Sequence, residues 1–260
     1  MNHNVLLEAR NVCKKFANIR ALSNVSFTIR EGEVYGIIGP NGAGKTTLFN
    51  CLTGFGAHDN GEFILSGKKL RKNSPEYNVS QGISRTFQNI RLFKKLSVLE
   101  NILVGFHKDF SSLSLMESIF CKAKRKKIVD SSCDLMSYVG IDHSKKLMQA
   151  GNLSYGEQRK LEIARALATH PIIIALDEPA AGMNSVERET LRSLIRKIRD
   201  DGVAVIIIEH DIELVVNLCD RIAVLDFGEK IVEDTPEHVI ADPKFISAYL
   251  GKDYEEPTGR

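Results

Sequence analysis

Apolar residues in this chain gather in short, dense runs. Val34–Ile38, Ile172–Leu176, Val203–Ile208 and Ile222–Leu225 are rich in β-branched side chains, the pattern of strands buried on both faces of a sheet. Between some of these runs the period changes. Val186, Leu191, Leu194, Ile195 and Ile198 recur at near-helical spacing and end at Asp201-Gly202, a helix stop. Leu161, Ala164, Leu167 and Ala168 line one side of a helix expected over Glu157–Thr169. Strands alternating with helices predict an α/β core whose parallel sheet is covered on both faces.

The ends differ from the core. Leu6–Phe16 and Val25–Ile29 read as antiparallel strands joined by a short connection. Ile222–Leu225 and Lys230–Glu233 flank Asp226-Phe227-Gly228-Glu229, a hairpin signal. From about Asn89 to Asn152 no strand-like run occurs. That stretch reads as a helical subdomain inserted into the core, spanning about 89–165 once the helix after it is included. Its basic cluster, Lys122 to Lys127, reads as a solvated helix face, with acidic lipid or a protein partner as the alternative. Residues 1–250 are expected to form one domain. Residues 251–260 form a polar tail with Pro257 and Gly259, expected to be loosely ordered.

Composition narrows the classes. The 260 residues are 43% hydrophobic and 26% charged, enough apolar material for one large core. A net charge of +2 gives no electrostatic case for a nucleic-acid partner or a bilayer. The cysteines Cys13, Cys51, Cys121, Cys133 and Cys219 form no CxxC pair, so reduced thiols are expected rather than a metal site or disulfides. Met1–Asn4 lacks the cationic start of a signal peptide. The apolar runs are too short to cross a bilayer, so any membrane role calls for another chain as the anchor.

The chemistry begins after the first buried run. Gly39-Pro40-Asn41-Gly42-Ala43-Gly44-Lys45-Thr46 fits GxxxxGK[S/T], with a strand entering and a helix, expected over Lys45–Leu52, leaving. Glycines let the backbone curl so that several N–H groups converge on phosphate oxygens, and the new helix turns its positive end to the same anion. Lys45 would neutralise terminal phosphates and the Thr46 hydroxyl would ligate Mg²⁺. A dinucleotide loop is excluded because Thr47 stands where its third glycine belongs.

A second signal lies 132 residues beyond Lys45, where the run Ile172–Leu176 ends in Asp177-Glu178. Asp177 is placed to hold Mg²⁺, directly or through water. Glu178, one residue on, is placed to polarise an attacking water. Many surface strands end in acids; the pairing with the phosphate loop is what makes this one informative.

Leu153-Ser154-Tyr155-Gly156-Glu157-Gln158 then decides the family. With the two motifs above, it resembles the signature of the ATP-binding cassette (ABC) ATPases, usually LSGGQ, with Tyr155 as a variant. Ser154 and Glu157 also read as a plain capping box, but the motif ends 19 residues before Asp177, as in that family. The resemblance covers about residues 5–250 and implies a P-loop NTPase parallel-sheet core, an N-terminal antiparallel β subdomain and an inserted helical signature subdomain. It implies phosphate contacts from Gly39 through Thr47, an adenine-stacking role for Phe16 and ATP contacts from the signature residues Ser154, Gly156 and Glu157. Gln88 matches the Q-loop residue that acts near Mg²⁺ and the attacking water. Glu178 matches the general base, and His210 the switch histidine. Asn184 departs from the family, whose corresponding loop usually ends in Asp.

Arg85–Phe93, Leu96–Val104, Glu178–Asn184 and Ala248–Gly251 resemble the ATPases of branched-chain amino-acid importers within that family; the lipopolysaccharide-export ATPases share much of this wording. The implied partners are a second cassette, identical or paralogous, and integral-membrane permeases. The apolar residues Ile90, Leu92 and Phe93 near Gln88 read either as a socket for a short permease helix or as plain core packing. A substrate-binding protein would act indirectly, and no nucleic acid is implied. The implied place is the cytoplasmic face of the inner membrane, held peripherally. A non-transport cassette is the remaining alternative; the zinc modules, coiled coils or paired cassettes usual there are not visible in this sequence.

Overall fold

The computed structural model describes residues 4–107 and 121–250. The polar tail lies outside them, as do the side chains of Lys122 and Lys124; Arg125, Lys126 and Lys127 are exposed.

Two sheets make the frame. One is antiparallel, in the order β2-β1-β4-β5: β1 is Val5–Phe16, β2 Ile19–Arg30, β4 Asn60–Leu65 and β5 Lys68–Lys69. The other has six strands in the order β10-β9-β3-β8-β7-β6. Here β3 is Val34–Ile38, β6 Ile83–Arg85, β7 Ile173–Asp177, β8 Ala204–Ile208, β9 Arg221–Asp226 and β10 Glu229–Asp234. All its pairings are parallel except the hairpin of β9 with β10.

Period-2 alternation explains why the central strands read as unbroken apolar runs. Tyr35, Ile37, Ile173, Ala175, Ala204, Ile206 and Ile208 point into a core shared with the antiparallel sheet and the helix Lys45–Thr53. Val34, Ile38, Ile174, Leu176, Val205 and Ile207 point into a second core. That core is completed by Ile102 of the helix Val98–Gly105, Met136 of Cys121–Tyr138, Leu161 of Tyr155–Leu167 and Ile195 of Ser185–Asp200. Successive residues face opposite sides, and here both sides are dry. The expected parallel sheet is therefore covered, but on one face the cover is largely the other sheet.

Boundaries moved by one or two residues, except at the start of the second N-terminal strand. The strand predicted at Ile172 starts at Ile173, and Ile172 is partly exposed. The helix expected from Glu157 starts at Tyr155, because Ser154 caps it. The second N-terminal strand reaches back to Ile19. β4, β6, the helix Pro75–Gln81 and the closing helices Pro236–Ala241 and Pro243–Leu250 had no strong periodic signal.

Candidate active site

The carboxyl ends of the parallel strands gather the sequence motifs on one edge. Loop 39–44 follows β3, the middle of the strand order β9-β3-β8. Pairing of Asp177 with Ile208, and of Ile37 with Ile208, aligns the ends of β7, β8 and β3. Pairing of Arg85 with Ala175 brings the segment after β6 to the same edge. Open α/β sheets bind ligands at this edge.

The phosphate loop is built by close approach. A Cβ on Gly39 would lie 2.0 Å from the Leu225 carbonyl oxygen, and one on Gly44 would lie 2.5 Å from that of Ala21. Gly44 also adopts φ +100° and leads into Lys45–Thr53 with no side-chain cap. The free N–H groups of that helix's first turn are therefore left for an anion. Lys45 is buried and its Nζ donates to the carbonyl oxygens of Gly39, at 2.6 Å, and Pro40, at 2.9 Å. Burial pulls the Lys45 ammonium below its usual range, and the charge of Glu178 opposes that shift. Asn41, Gly42 and Thr46 are exposed.

Three predicted residues meet at one carboxylate. Gln88 Nε2 donates to Glu178 Oε2 at 2.8 Å. Nδ1 of His210 lies 3.7 Å from the same oxygen. The Glu178 N–H donates to Ile208 O at 2.9 Å, and the residue sits at φ +44°, a left-handed conformation that costs about 1–3 kcal/mol outside glycine. Neighbouring Glu209 is buried. Its Oε1 accepts from Ala180 N at 2.9 Å, and burial pushes its carboxyl up. Thr46, Gln88 and Asp177 line one open cleft of about 360 Å³ with Asn50, Arg85 and Phe87. A hydroxyl, an amide and a carboxylate are hard oxygen donors of the kind Mg²⁺ accepts, so the residues fit that ion.

The signature residues stand apart from that cluster. Among the described residues, no hydrogen bond or ion pair joins Ser154, Gly156 or Glu157 to the phosphate loop. Ser154 and Glu157 form the capping box, and Glu157 is ion-paired to Lys145. That hydrogen bond holds the Glu157 carboxyl below the usual range. Gly156 is buried; a Cβ there would lie 2.8 Å from Glu187 Oε1. Asn184 caps the helix Ser185–Asp200, its side chain accepting from Glu187 N at 2.9 Å. Phe16 ends β1, is 55% exposed and carries Lys14 Nζ 5.0 Å from its ring centroid. Phe93 is 51% exposed, whereas Leu92 packs against the helical core.

Sequence reasoning missed two arginines. Arg85 pairs with Asp177 at 2.6 Å, both side chains buried. Arg159 is fully buried and donates to the main-chain oxygens of Phe87, at 2.6 Å, and Gln88, at 2.8 Å, and to Glu162 at 2.8 Å. Glu162 in turn accepts from Arg91 N at 3.0 Å. One helix thus grips the segment that carries Gln88. Arg159 and Glu162 are three residues apart on that helix, a spacing too common in charged helices to have stood out.

Comparison with known proteins agrees with this arrangement. A family profile described as "ABC transporter" matches residues 22–181. LivG of Salmonella typhimurium, a high-affinity branched-chain amino acid transport ATP-binding protein, is 38% identical over 95% of this chain and 98% of its own. LptB of Haemophilus influenzae, the ATP-binding protein of a lipopolysaccharide export system, is 32% identical over 96% and 99%. Among solved structures, the ADP conformation of MJ1267, an ATP-binding cassette of an ABC transporter, superposes with TM-score 0.84 at 33% identity, covering 96% of this chain and all of that one. A dimeric cassette, MJ0796 in a post-hydrolysis state with ADP and Pi, superposes with TM-score 0.73 at 29% identity, covering 89% and 99%. With its phosphate loop, acidic strand end and signature helix on this frame, the chain belongs to the ABC transporter family, as an ATP-hydrolysing cassette.

Proposed function

We propose that this cassette powers uptake of branched-chain amino acids through integral-membrane permeases, working at the cytoplasmic face of the inner membrane. The observation that carries the catalytic part is the convergence of Gln88 and His210 on Glu178. Glu178 is the general base, taking a proton from water as it attacks the γ-phosphate. Gln88 and His210 hold the carboxylate and face the terminal phosphate. Phe16 stacks on adenine, residues Gly39 to Thr47 cradle the phosphates, and Lys45 leaves its loop carbonyls for them. Mg²⁺, bound with ATP and held by Thr46, Asp177 and Gln88, would neutralise phosphate charge. Residues 1–250 act as one nucleotide-binding unit, with about 89–165 as its signature-bearing part.

A single chain supplies only half of this arrangement, since Ser154, Gly156 and Glu157 make no bond to their own phosphate loop. A second cassette, packed head to tail, supplies its signature across the interface, and the dimeric relative supports that reading. ATP then favours the closed pair, and loss of the γ-phosphate favours the open one. No described helix is long and apolar enough to cross a membrane, so attachment falls to the permeases. The exposed Phe93 beside Gln88, with Ile90 and Leu92, is the contact surface we assign to them.

The amino-acid reading rests on the higher identity of the LivG relative, 38% against 32% for LptB at similar coverage. Purification from native membranes, identification of the accompanying chains and assay of ATP turnover in that complex test it. Stimulation by a binding protein loaded with leucine, isoleucine or valine is expected. Stimulation by lipopolysaccharide instead would replace the reading with export.

A further inference from the structure

The carboxylate assigned to the metal is already paired with an internal cation. Arg85 leaves β6 and donates through Nη2 to Asp177 Oδ2 at 2.6 Å, with 5% and 6% of the two side chains exposed. Its other amino group donates to Asn50 Oδ1 at 2.7 Å and Thr53 Oγ1 at 3.1 Å. Both acceptors lie on the helix that begins with Lys45 and Thr46. The rings of Phe87, Phe49 and Phe55 surround the guanidinium, with centroids 5.0, 5.5 and 5.8 Å from its carbon. Arg85 also lines the cleft it shares with Thr46, Gln88 and Asp177.

Two consequences follow from charge. An isolated buried carboxylate attracts any divalent cation; one beside a guanidinium is close to neutral as a pair, and the guanidinium repels an incoming dication. The field at this cleft favours a metal only after further negative charge has arrived, and the nucleotide polyphosphate brings that charge.

We propose that Arg85 is a positioning residue that makes divalent-cation binding conditional on nucleotide. It fixes one oxygen of Asp177 and withholds the carboxylate from free metal, so that the ion enters with the phosphates and not before them. The same bonds to Asn50 and Thr53 tie Asp177 to the helix that presents Thr46, so the two metal-side donors keep their spacing. This inference rests on the assignment of Asp177 as metal ligand.

The test uses the full chain with Mn²⁺ as probe, followed by electron paramagnetic resonance with and without ADP, which removes turnover from the readout. The wild type is expected to take up Mn²⁺ with ADP and at least about tenfold more weakly without it. Arg85→Gln removes the charge and keeps one polar amide of shorter reach; its nucleotide-free affinity for Mn²⁺ is expected to rise at least about tenfold. Arg85→Lys, which keeps the charge, is expected to restore the wild-type dependence on ADP. Asp177→Asn separates the two readings. If it leaves uptake with ADP unchanged, the metal assignment of Asp177 fails and this inference falls with it. If it abolishes that uptake while Arg85→Gln behaves as wild type, only the role given to Arg85 is overturned. Thermal melts of each variant exclude unfolding, and should Arg85→Gln not fold, Arg85→Met is scored in its place. A wild type that binds Mn²⁺ equally well with and without ADP would also overturn the proposal.

Discussion

The guanidinium of Arg159 donates to the main-chain oxygen of Gln88 at 2.8 Å, joining the signature helix to the residue that touches Glu178. The pair Arg159–Glu162 is buried, and removing one partner of a buried ion pair strands the other, at about 3–5 kcal/mol. Arg159→Ala is therefore expected to lower unfolding free energy in urea by that amount. Arg159→Ala with Glu162→Ala is expected to cost less than the sum of the single changes, because neither charge is then left alone. Additive losses would mean that the two residues act separately.

Glu178→Gln keeps the shape and the bond to Gln88 but cannot accept a proton. Turnover is expected to fall by about 10²–10⁴-fold while ATP binding persists. Light scattering with ATP should show the variant accumulating as a dimer. Near-normal turnover would remove Glu178 from the role of base.

If each site is completed by a neighbour, two inactive variants repair each other. Lys45→Ala disables the phosphate loop and Ser154→Arg disables the signature. Mixed, they form heterodimers in which one site has both defects and the other has neither. Mixing is expected to restore part of the wild-type ATPase rate, and specific activity of the wild type should rise with protein concentration. A mixture as inactive as its components would exclude the head-to-tail arrangement.

Asn184 offers a cleaner comparison. Its side chain caps Ser185–Asp200, and Asp serves that position about as well as Asn. Asn184→Asp is expected to leave thermal stability nearly unchanged, whereas Asn184→Ala is expected to cost about 1 kcal/mol. A change in ATPase rate for Asn184→Asp at unchanged stability would then report the added charge and not a lost cap.

Glu157 sets an acid limit on the signature cap. Its hydrogen bond with Lys145 depresses the carboxyl's pKa in the folded chain. The stability this confers is present above the ordinary glutamate value of about 4.3 and is lost as pH falls through the depressed one. Lys145→Met is expected to move that loss to higher pH in urea titrations. Because solvent still reaches part of the Glu157 side chain, the shift in stability is expected to stay below about 1 kcal/mol. An unchanged acid limb would show that Lys145 does not hold the cap.

The central strands were legible because both of their faces are buried, so almost every residue is apolar. β4 and β6 were not: Asn60–Leu65 opens with Asn, Gly and Glu and buries only Phe63 and Leu65, and Ile83–Arg85 is only three residues long. The motif residues could be found because phosphate chemistry restricts them to a few types at fixed spacing. Arg85 lay inside a quoted stretch and still gave no sign of its partner, since Asp177 is 92 positions away. A long-range ion pair leaves no periodic trace, and only the register of β6 against β7 brings the two together.

That same kind of register has a bearing on how this molecule tolerates change. Asp177 faces Ile208 across adjacent strands, so Glu178 and Glu209-His210 leave the sheet side by side without help from any loop. Loops elsewhere can lengthen or drift without disturbing the chemistry. A single-residue deletion in Ala204–Ile208 would instead exchange the two cores that its side chains serve. The edge where the motif residues gather is thus inherited from the framework, and variation that reached it would first have to get past folding.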